Sequence, residues 1–410
     1  MTSIKKELSI VILVVFLAAG VGIASADRPA VTAAGGQGPC TEFRLTPGEV
    51  GPDAEYGRSV AIDGDLVAVG AVEDDAGGAV YLYRRQGMAY VPVAKLVAPD
   101  ATSGAEFGRS VAIKGNTVIV GARFARVGDL ERAGAVYIFK NNRGSWQFEE
   151  KISSPEPADE DNFGRALAVW GNTLVVTARK DAAETGAAYV FVNRGKRWIY
   201  TAELMAGDAA EGDYFGQSVA LQGDIIAIGA RNTDEAGGLY LFRRSGDGWR
   251  EIARVTPPDG RRNDQYGFTV AIAGDTIAVS ARRADPDTIK DAGEVYVYSL
   301  TGDGVRPVAR LTAGDASAGD EFGQSIAIAG DTIAVGAWKA DIGENDDQGA
   351  IYLFRRAGTR WIETAKITAS DGAAGDEFGY SLAAFGNRMV TGAHFADQMT
   401  GAAYVLPLKP

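Results

Sequence analysis

The sequence predicts an all-β fold, a seven-bladed β-propeller of four-stranded antiparallel blades, on three observations. An aromatic-Gly pair recurs seven times, at intervals of 51–56 residues. Each interval carries four short β-rich runs and no helical period. The last interval runs out of chain after its third run, while a matching run stands before the first pair. A fixed period of this length signals an array of supersecondary units. Four short strands per unit is the pattern of a propeller blade.

The unit is clearest at residues 322–337, FGQSIAIAGDTIAVGA. Its opening pair recurs as Tyr56-Gly57, Phe107-Gly108, Phe163-Gly164, Phe215-Gly216, Tyr266-Gly267, Phe322-Gly323 and Phe378-Gly379. A first apolar run ends at Gly330-Asp331, matched by Gly64-Asp65, Gly115-Asn116, Gly171-Asn172, Gly223-Asp224, Gly274-Asp275 and Gly386-Asn387. Gly-Asp or Gly-Asn between two β-rich runs is a two-residue hairpin signal, because these residues tolerate positive φ. A second run and a variable loop follow. The third run carries one tyrosine per unit: Tyr81, Tyr137, Tyr189, Tyr240, Tyr296, Tyr352 and Tyr404. These tyrosines and the opening aromatics are expected to pack between blades. The fourth run is exemplified by residues 361–369, WIETAKITA. Residues 41–50, TEFRLTPGEV, hold the place of a fourth run before the first pair. They are expected to complete the seventh blade and close the ring, which removes exposed strand edges.

Outside the repeats, residues 1–26 read as a secretory signal, with Lys5 and Lys6, an apolar stretch from Leu8 to about Ala24, and the small-residue site Ala24-Ser25-Ala26. Residues 27–40 read as a flexible linker, and residues 41–410 as a single propeller domain. Cys40 is the only cysteine, so no intramolecular disulfide is expected. Cleavage would leave 39 basic and 52 acidic side chains, a formal charge of −13. Such a field disfavours nucleic acid and anionic lipid. The expectation is a monomeric, exported protein, secreted, periplasmic or on the cell surface, with no stable membrane insertion once the signal is removed.

The opening Phe-Gly and the Gly-Ala closing the second run (Gly70-Ala71, Gly121-Ala122, Gly229-Ala230, Gly336-Ala337, Gly392-Ala393; variants Thr177-Ala178, Ser280-Ala281) resemble the FG-GAP repeat. That repeat builds the seven-bladed propeller of integrin alpha subunits and of many bacterial exported proteins. The resemblance covers about residues 41–407 and implies the same fold. It implies little about function, since one fold hosts many activities. The family's calcium loops do not carry over: a two-residue turn cannot supply six to eight oxygen ligands. No cofactor and no metal are expected, and residues 341–349, DIGENDDQG, do not follow the calcium-loop pattern.

In a propeller, the connections from second to third strand and from blade to blade share one face. The first residue after each Gly-Ala-type pair is Val72, Arg123, Arg179, Arg231, Arg282, Trp338 and His394. The blade-to-blade connections on that face are acidic, with Glu55, Glu106, Asp161, Asp213, Asp264, Asp320 and Asp376. Two readings follow. Each arginine pairs with an acid of an adjacent blade, or Arg123, Arg179, Arg231, Arg282, Trp338 and His394 form a site for a protein or glycan ligand, since guanidinium forks suit anions. Three loops of 11 residues, 123–133, 282–292 and 338–348, are longer than the rest, as befits a specificity-bearing face. Trp146, Trp198, Trp249 and Trp361 at the fourth runs are either outer sugar contacts or packing.

One histidine and one cysteine exclude most histidine-dependent triad and metal schemes. Carboxylates abound, which leaves a carbohydrate-active hydrolase or lyase as the alternative. The near uniformity of the repeats favours a noncatalytic binding, adhesion or scaffold module.

Overall fold

The computed structural model describes residues 42–195, 197–302 and 304–408. The proposed signal, the linker and Cys40 lie outside the described residues. Seven four-stranded antiparallel sheets are present. Blade six is typical, with strands Phe322–Ala329, Thr332–Ala337, Ala350–Ala357 and Arg360–Ile367 in that order from the centre outward. The first strands of all seven blades pack on one another around the axis.

The two-residue turns are as expected, with a refinement. Only the glycine is left-handed, from Gly115 at φ 56° to Gly274 and Gly386 at 62°. That is the type II′ pattern, whose twist suits the flanking strands. The second run ends against the next blade. A Cβ on Gly392 would lie 1.9 Å from the Gly57 carbonyl oxygen, so no larger residue fits there without backbone movement. The serine of the first strand exploits this approach: Ser59, Ser110, Ser218, Ser325 and Ser381 donate to Gly108, Gly164, Gly267, Gly379 and Gly57 at 2.6–3.0 Å. The last of these bonds closes the circle. The Gly-Ala variants are compensated locally. Thr177 faces Ala166 instead of a serine and bonds its backbone, and Ser280 accepts from the Thr269 amide at 3.0 Å.

The two aromatic columns meet inside each blade, not between blades. Every opening aromatic ring packs on the third-strand tyrosine of its own blade, with centroids 5.3–5.7 Å apart, edge-on in six blades and tilted at Phe163–Tyr189. Such pairs add about 0.5–1.5 kcal/mol beyond burial. The hydroxyl is what reaches across: Tyr240, Tyr296, Tyr352 and Tyr404 donate to Asp208, Asp259, Asp315 and Asp371 of the preceding connection at 2.7–3.1 Å. A fourth-strand cation completes each latch, as with Lys366 and Asp315 at 2.7 Å.

The N-terminal strand is shorter than residues 41–50, covering Phe43–Leu45, and pairs antiparallel with Ala402–Pro407 as the outer strand of blade seven. Its Arg44 bonds Asp371 and so supplies that blade's latch cation. Pro47 and Gly48 are poor strand residues, and only three residues are needed to make the latch.

Candidate functional site

The entry to the first strand is a β-bulge in blades one to six, and in blade seven the strand begins only at Ser381. In blade one Tyr56 pairs with Ala71 and Ser59 with Gly70, leaving Gly57 and Arg58 as the extra residues. A bulge re-aims side chains. Here it turns one residue per blade toward the axis: Arg58, Arg109, Arg165, Gln217, Phe268, Gln324 and Tyr380, all buried. The residue before each aromatic is also special. Glu55, Glu106, Asn162, Tyr214, Gln265, Glu321 and Glu377 all have φ between 48° and 62°. Left-handed backbone at seven equivalent non-glycine positions costs on the order of 1 kcal/mol each and concentrates at functional sites.

These two columns and the expected one after the Gly-Ala pairs form three tiers at the mouth of the central channel, on the loop face. The structure therefore brings Arg123, Arg179, Arg231, Arg282, Trp338 and His394 to one place, with unequal partners. Arg123 grips Glu106 through Nε and Nη2, both at 2.7 Å, and is fully buried. Arg282 donates to Gln265 at 2.9 Å and Gln324 at 2.8 Å, and its Nη1 lies 3.0 Å from Glu321. Trp338 Nε1 donates to Glu321 at 3.2 Å. His394 stacks between Tyr380 and Phe395 at 3.8 and 4.0 Å, with Nδ1 3.4 Å from Glu377. Arg179 and Arg231 lie over the Tyr214 ring at 4.8 and 4.9 Å.

The acidic column needs correction. Glu55 and Glu106 belong to the mouth, but Asp161, Asp213, Asp264, Asp320 and Asp376 stand one residue earlier. Each accepts the backbone N–H three residues before it, at 2.6–3.0 Å, and pins the connection. The carboxylates that face the arginines are Glu55, Glu106, Glu321 and Glu377. Charge is thus uneven around the mouth: blades six and seven present Glu321, Trp338, Glu377, Tyr380 and His394, blades one and two pair Glu55 and Glu106 with Arg58, Arg109 and Arg123, and blades three to five present Arg165, Arg179, Arg231 and Arg282 with no glutamate in the column before the aromatic.

Burial and these neighbours set the protonation states. Burial pushes Glu377 up to about 8 and Glu55 up to about 7, against the pull of Arg58 on both. Glu106 goes the other way: burial would raise it, but Arg123 and Arg109 outweigh that and lower it. Burial, with Arg58 and Arg109 nearby, holds His394 well below its usual range, so the imidazole is neutral. Arg179 is lowered to about 9 by burial and by Arg231 and Arg123, and stays charged at pH 7.

The bulge column is what sequence reasoning missed. The signal was present, since Arg58, Arg109 and Arg165 follow the aromatic-Gly pair directly. But strand alternation assigns that residue a face only if no bulge intervenes. The outer tryptophans pack: Trp146, Trp249 and Trp361 lie against blade cores, and Arg244 and Arg356 cover the rings of Trp249 and Trp361. In the loop at 341–349, Asp341 accepts the Asp347 amide at 2.9 Å, a turn-forming bond.

Among solved structures, the chain resembles a "putative 6-phosphogluconolactonase" from Bacteroides uniformis. The identity is 11%, with 89% of this chain and 98% of that one covered, and the TM-score is 0.54. Saccharomyces cerevisiae Sqt1 matches at 10% identity over 84% and 82% of the two chains, with a TM-score of 0.49. The first likeness shows the fold alone. No curated protein matches the chain. The FG-GAP repeat model matches residues 41–83, 90–139, 146–191, 198–242, 249–298, 305–354 and 361–406. The first window, 41–83, contains the closing strand Phe43–Leu45, and the other six each begin on a fourth strand and end on the third strand of the next blade. These windows span the propeller from end to end, and the chain belongs to the FG-GAP repeat family.

Proposed function

We propose that this is an exported, noncatalytic propeller that binds a protein or glycan ligand through its loop face, at the channel mouth. The observation that carries the reading is the convergence of Arg179, Arg231, Arg282, Trp338 and His394 with the unexpected bulge column in one polar, charge-asymmetric mouth. Buried guanidiniums and aromatics are the groups that anchor ligands in recognition sites. The chain acts as a monomer, in the secreted, periplasmic or cell-surface space, and takes no nucleic acid. Glycan-array binding of wild type, Arg231→Ala and Trp338→Ala tests this. A saturable hit weakened at least tenfold in either variant supports the mouth as the site. A hit indifferent to both places the ligand elsewhere and overturns it.

A carbohydrate-active hydrolase is the second reading, favoured by Glu377 and Glu55. At neutral pH the Glu377 carboxyl is mostly protonated and that of Glu55 about half so, and protonation is the state a general acid needs. Product release from an array hit, abolished in Glu377→Gln with binding retained, would establish it. Binding without turnover leaves the noncatalytic module.

A further inference from the structure

At the mouth Arg179 and Arg231 lie against a tyrosine ring, and Arg179 also against a glutamine, where Arg123 and Arg282 lie against Glu106 and Glu321. The column before the aromatic holds glutamate in blades one, two, six and seven, but Asn162 and Tyr214 in blades three and four. At this gap Arg165 and Arg179 both donate to Gln217 Oε1, at 3.3 and 3.4 Å. Arg179 and Arg231 both lie over the Tyr214 ring. The Tyr214 hydroxyl donates to Glu184 at 2.7 Å, and Glu184 is itself engaged by Lys180 at 2.8 Å. Buried charge is costly unless it is paired. Gln217 is fully buried, yet its Nε2 has no hydrogen-bond partner, and neither has Nε of Arg179 or of Arg231. After burial, the influences that depress Arg165 most are four other guanidiniums, Arg109, Arg179, Arg123 and Arg231. Arg165 and Gln217 are fully buried, while Arg231 is half-buried.

We infer that the cluster of Arg165, Arg179, Arg231 and Gln217 binds an oxyanion, the phosphate, sulfate or carboxylate group of the ligand, and that this group is the ligand's anchor. The inference rests on the loop-face reading and names the chemistry of its ligand. Guanidinium forks and one amide N–H suit an acceptor with two or three oxygens. The low dielectric of a buried floor strengthens those bonds.

The test is calorimetric titration and thermal unfolding of the whole protein with inorganic phosphate, sulfate and glucuronate, at constant ionic strength set with chloride. Saturable binding of at least one of the three is expected, with unfolding raised by about 3 °C at saturation. The preferred probe separates a phosphate or sulfate group from a carboxylate. Arg231→Gln, at the half-buried rim, should weaken binding at least tenfold. Gln217→Glu places a carboxylate against Arg165 and Arg179, so it should abolish binding and, without added oxyanion, unfold at a higher temperature than wild type. No saturable binding by any probe to folded wild type overturns the inference, as does unchanged binding in Gln217→Glu. An array ligand weakened in Arg231→Ala or Trp338→Ala that phosphate, sulfate and glucuronate all fail to displace also overturns it while sparing the loop-face reading. An array ligand indifferent to both of those variants removes the loop-face reading, and oxyanion binding lost in Gln217→Glu then stands as an anion site alone.

Discussion

Arg123 and Arg231 occupy the same column of the repeat, yet they do different work. Arg123 is locked to Glu106 by two bonds in a buried setting. Removing one partner of such a pair strands the other charge and costs about 3–5 kcal/mol. Arg123→Ala is therefore expected to lower the unfolding free energy by that amount in denaturant titration. Arg231→Ala, stacked on Tyr214 without a carboxylate bond, should cost under about 1 kcal/mol and act on binding instead. The sequence showed the column, but not which arginine had a partner, because partnership depends on the residue before the aromatic in the same or the next blade. Protonation at the mouth is equally specific. Glu377 takes up its proton near pH 8 in the fold, against about 4.5 when unfolded. Between those values the folded state holds a proton that the unfolded state has lost, so stability falls as pH rises. Glu55, raised to about 7, acts in the same direction. His394 is depressed and lowers stability only below about pH 6.5, where the unfolded chain protonates. From pH 6.5 to 8.5 the glutamates dominate, and wild type should lose on the order of 2 kcal/mol. Glu377→Gln should flatten most of that slope. A slope unchanged in the variant would place the titration elsewhere.

At the scale of the element, the blade is a hairpin pair whose register is interrupted once, at the aromatic-Gly pair. Spacing and turn chemistry made the four strands legible, because Gly-Asp turns and alternating apolar runs are local signals. The bulge is not local: it needs Ser59, Gly70 and the Gly108 carbonyl of the next blade together. The glycine of the Gly-Ala pair is consequently the least replaceable residue of the element. Gly392→Ala forces backbone apart at the seam and is expected to destabilise by about 3 kcal/mol or prevent folding. Gly386→Ala, a turn glycine at φ 62° with open space around its Cβ position, should cost only about 1 kcal/mol. Equal effects would mean that backbone angle, not blade-to-blade approach, governs both.

Across the whole molecule the ring is the unit of stability, and its closure depends on three residues. Phe43–Leu45 pair with Ala402–Pro407, and Arg44 takes the place of a latch cation. Closure was readable from the missing fourth run of the last repeat. The cation was not, since only comparison with Lys151, Arg254, Arg310 and Lys366 in space reveals it. Arg44→Ala removes partly exposed ion pairs and should cost no more than about 1 kcal/mol. Deleting residues 41–45 exposes the edge of Ala402–Pro407, and the variant should self-associate on size exclusion and unfold at least 5 °C lower, roughly. The ring also creates the mouth, because no single blade holds Arg165, Arg179 and Arg231. The most direct measurement of that site is anomalous diffraction from a crystal of the protein soaked in selenate. The expected result is a selenium peak at the channel mouth within hydrogen-bonding distance of Arg179, Arg231 and Gln217, and its loss in Gln217→Glu. Selenium peaks confined to the outer surface of the blades, with the mouth empty, would contradict the placement of the binding site there.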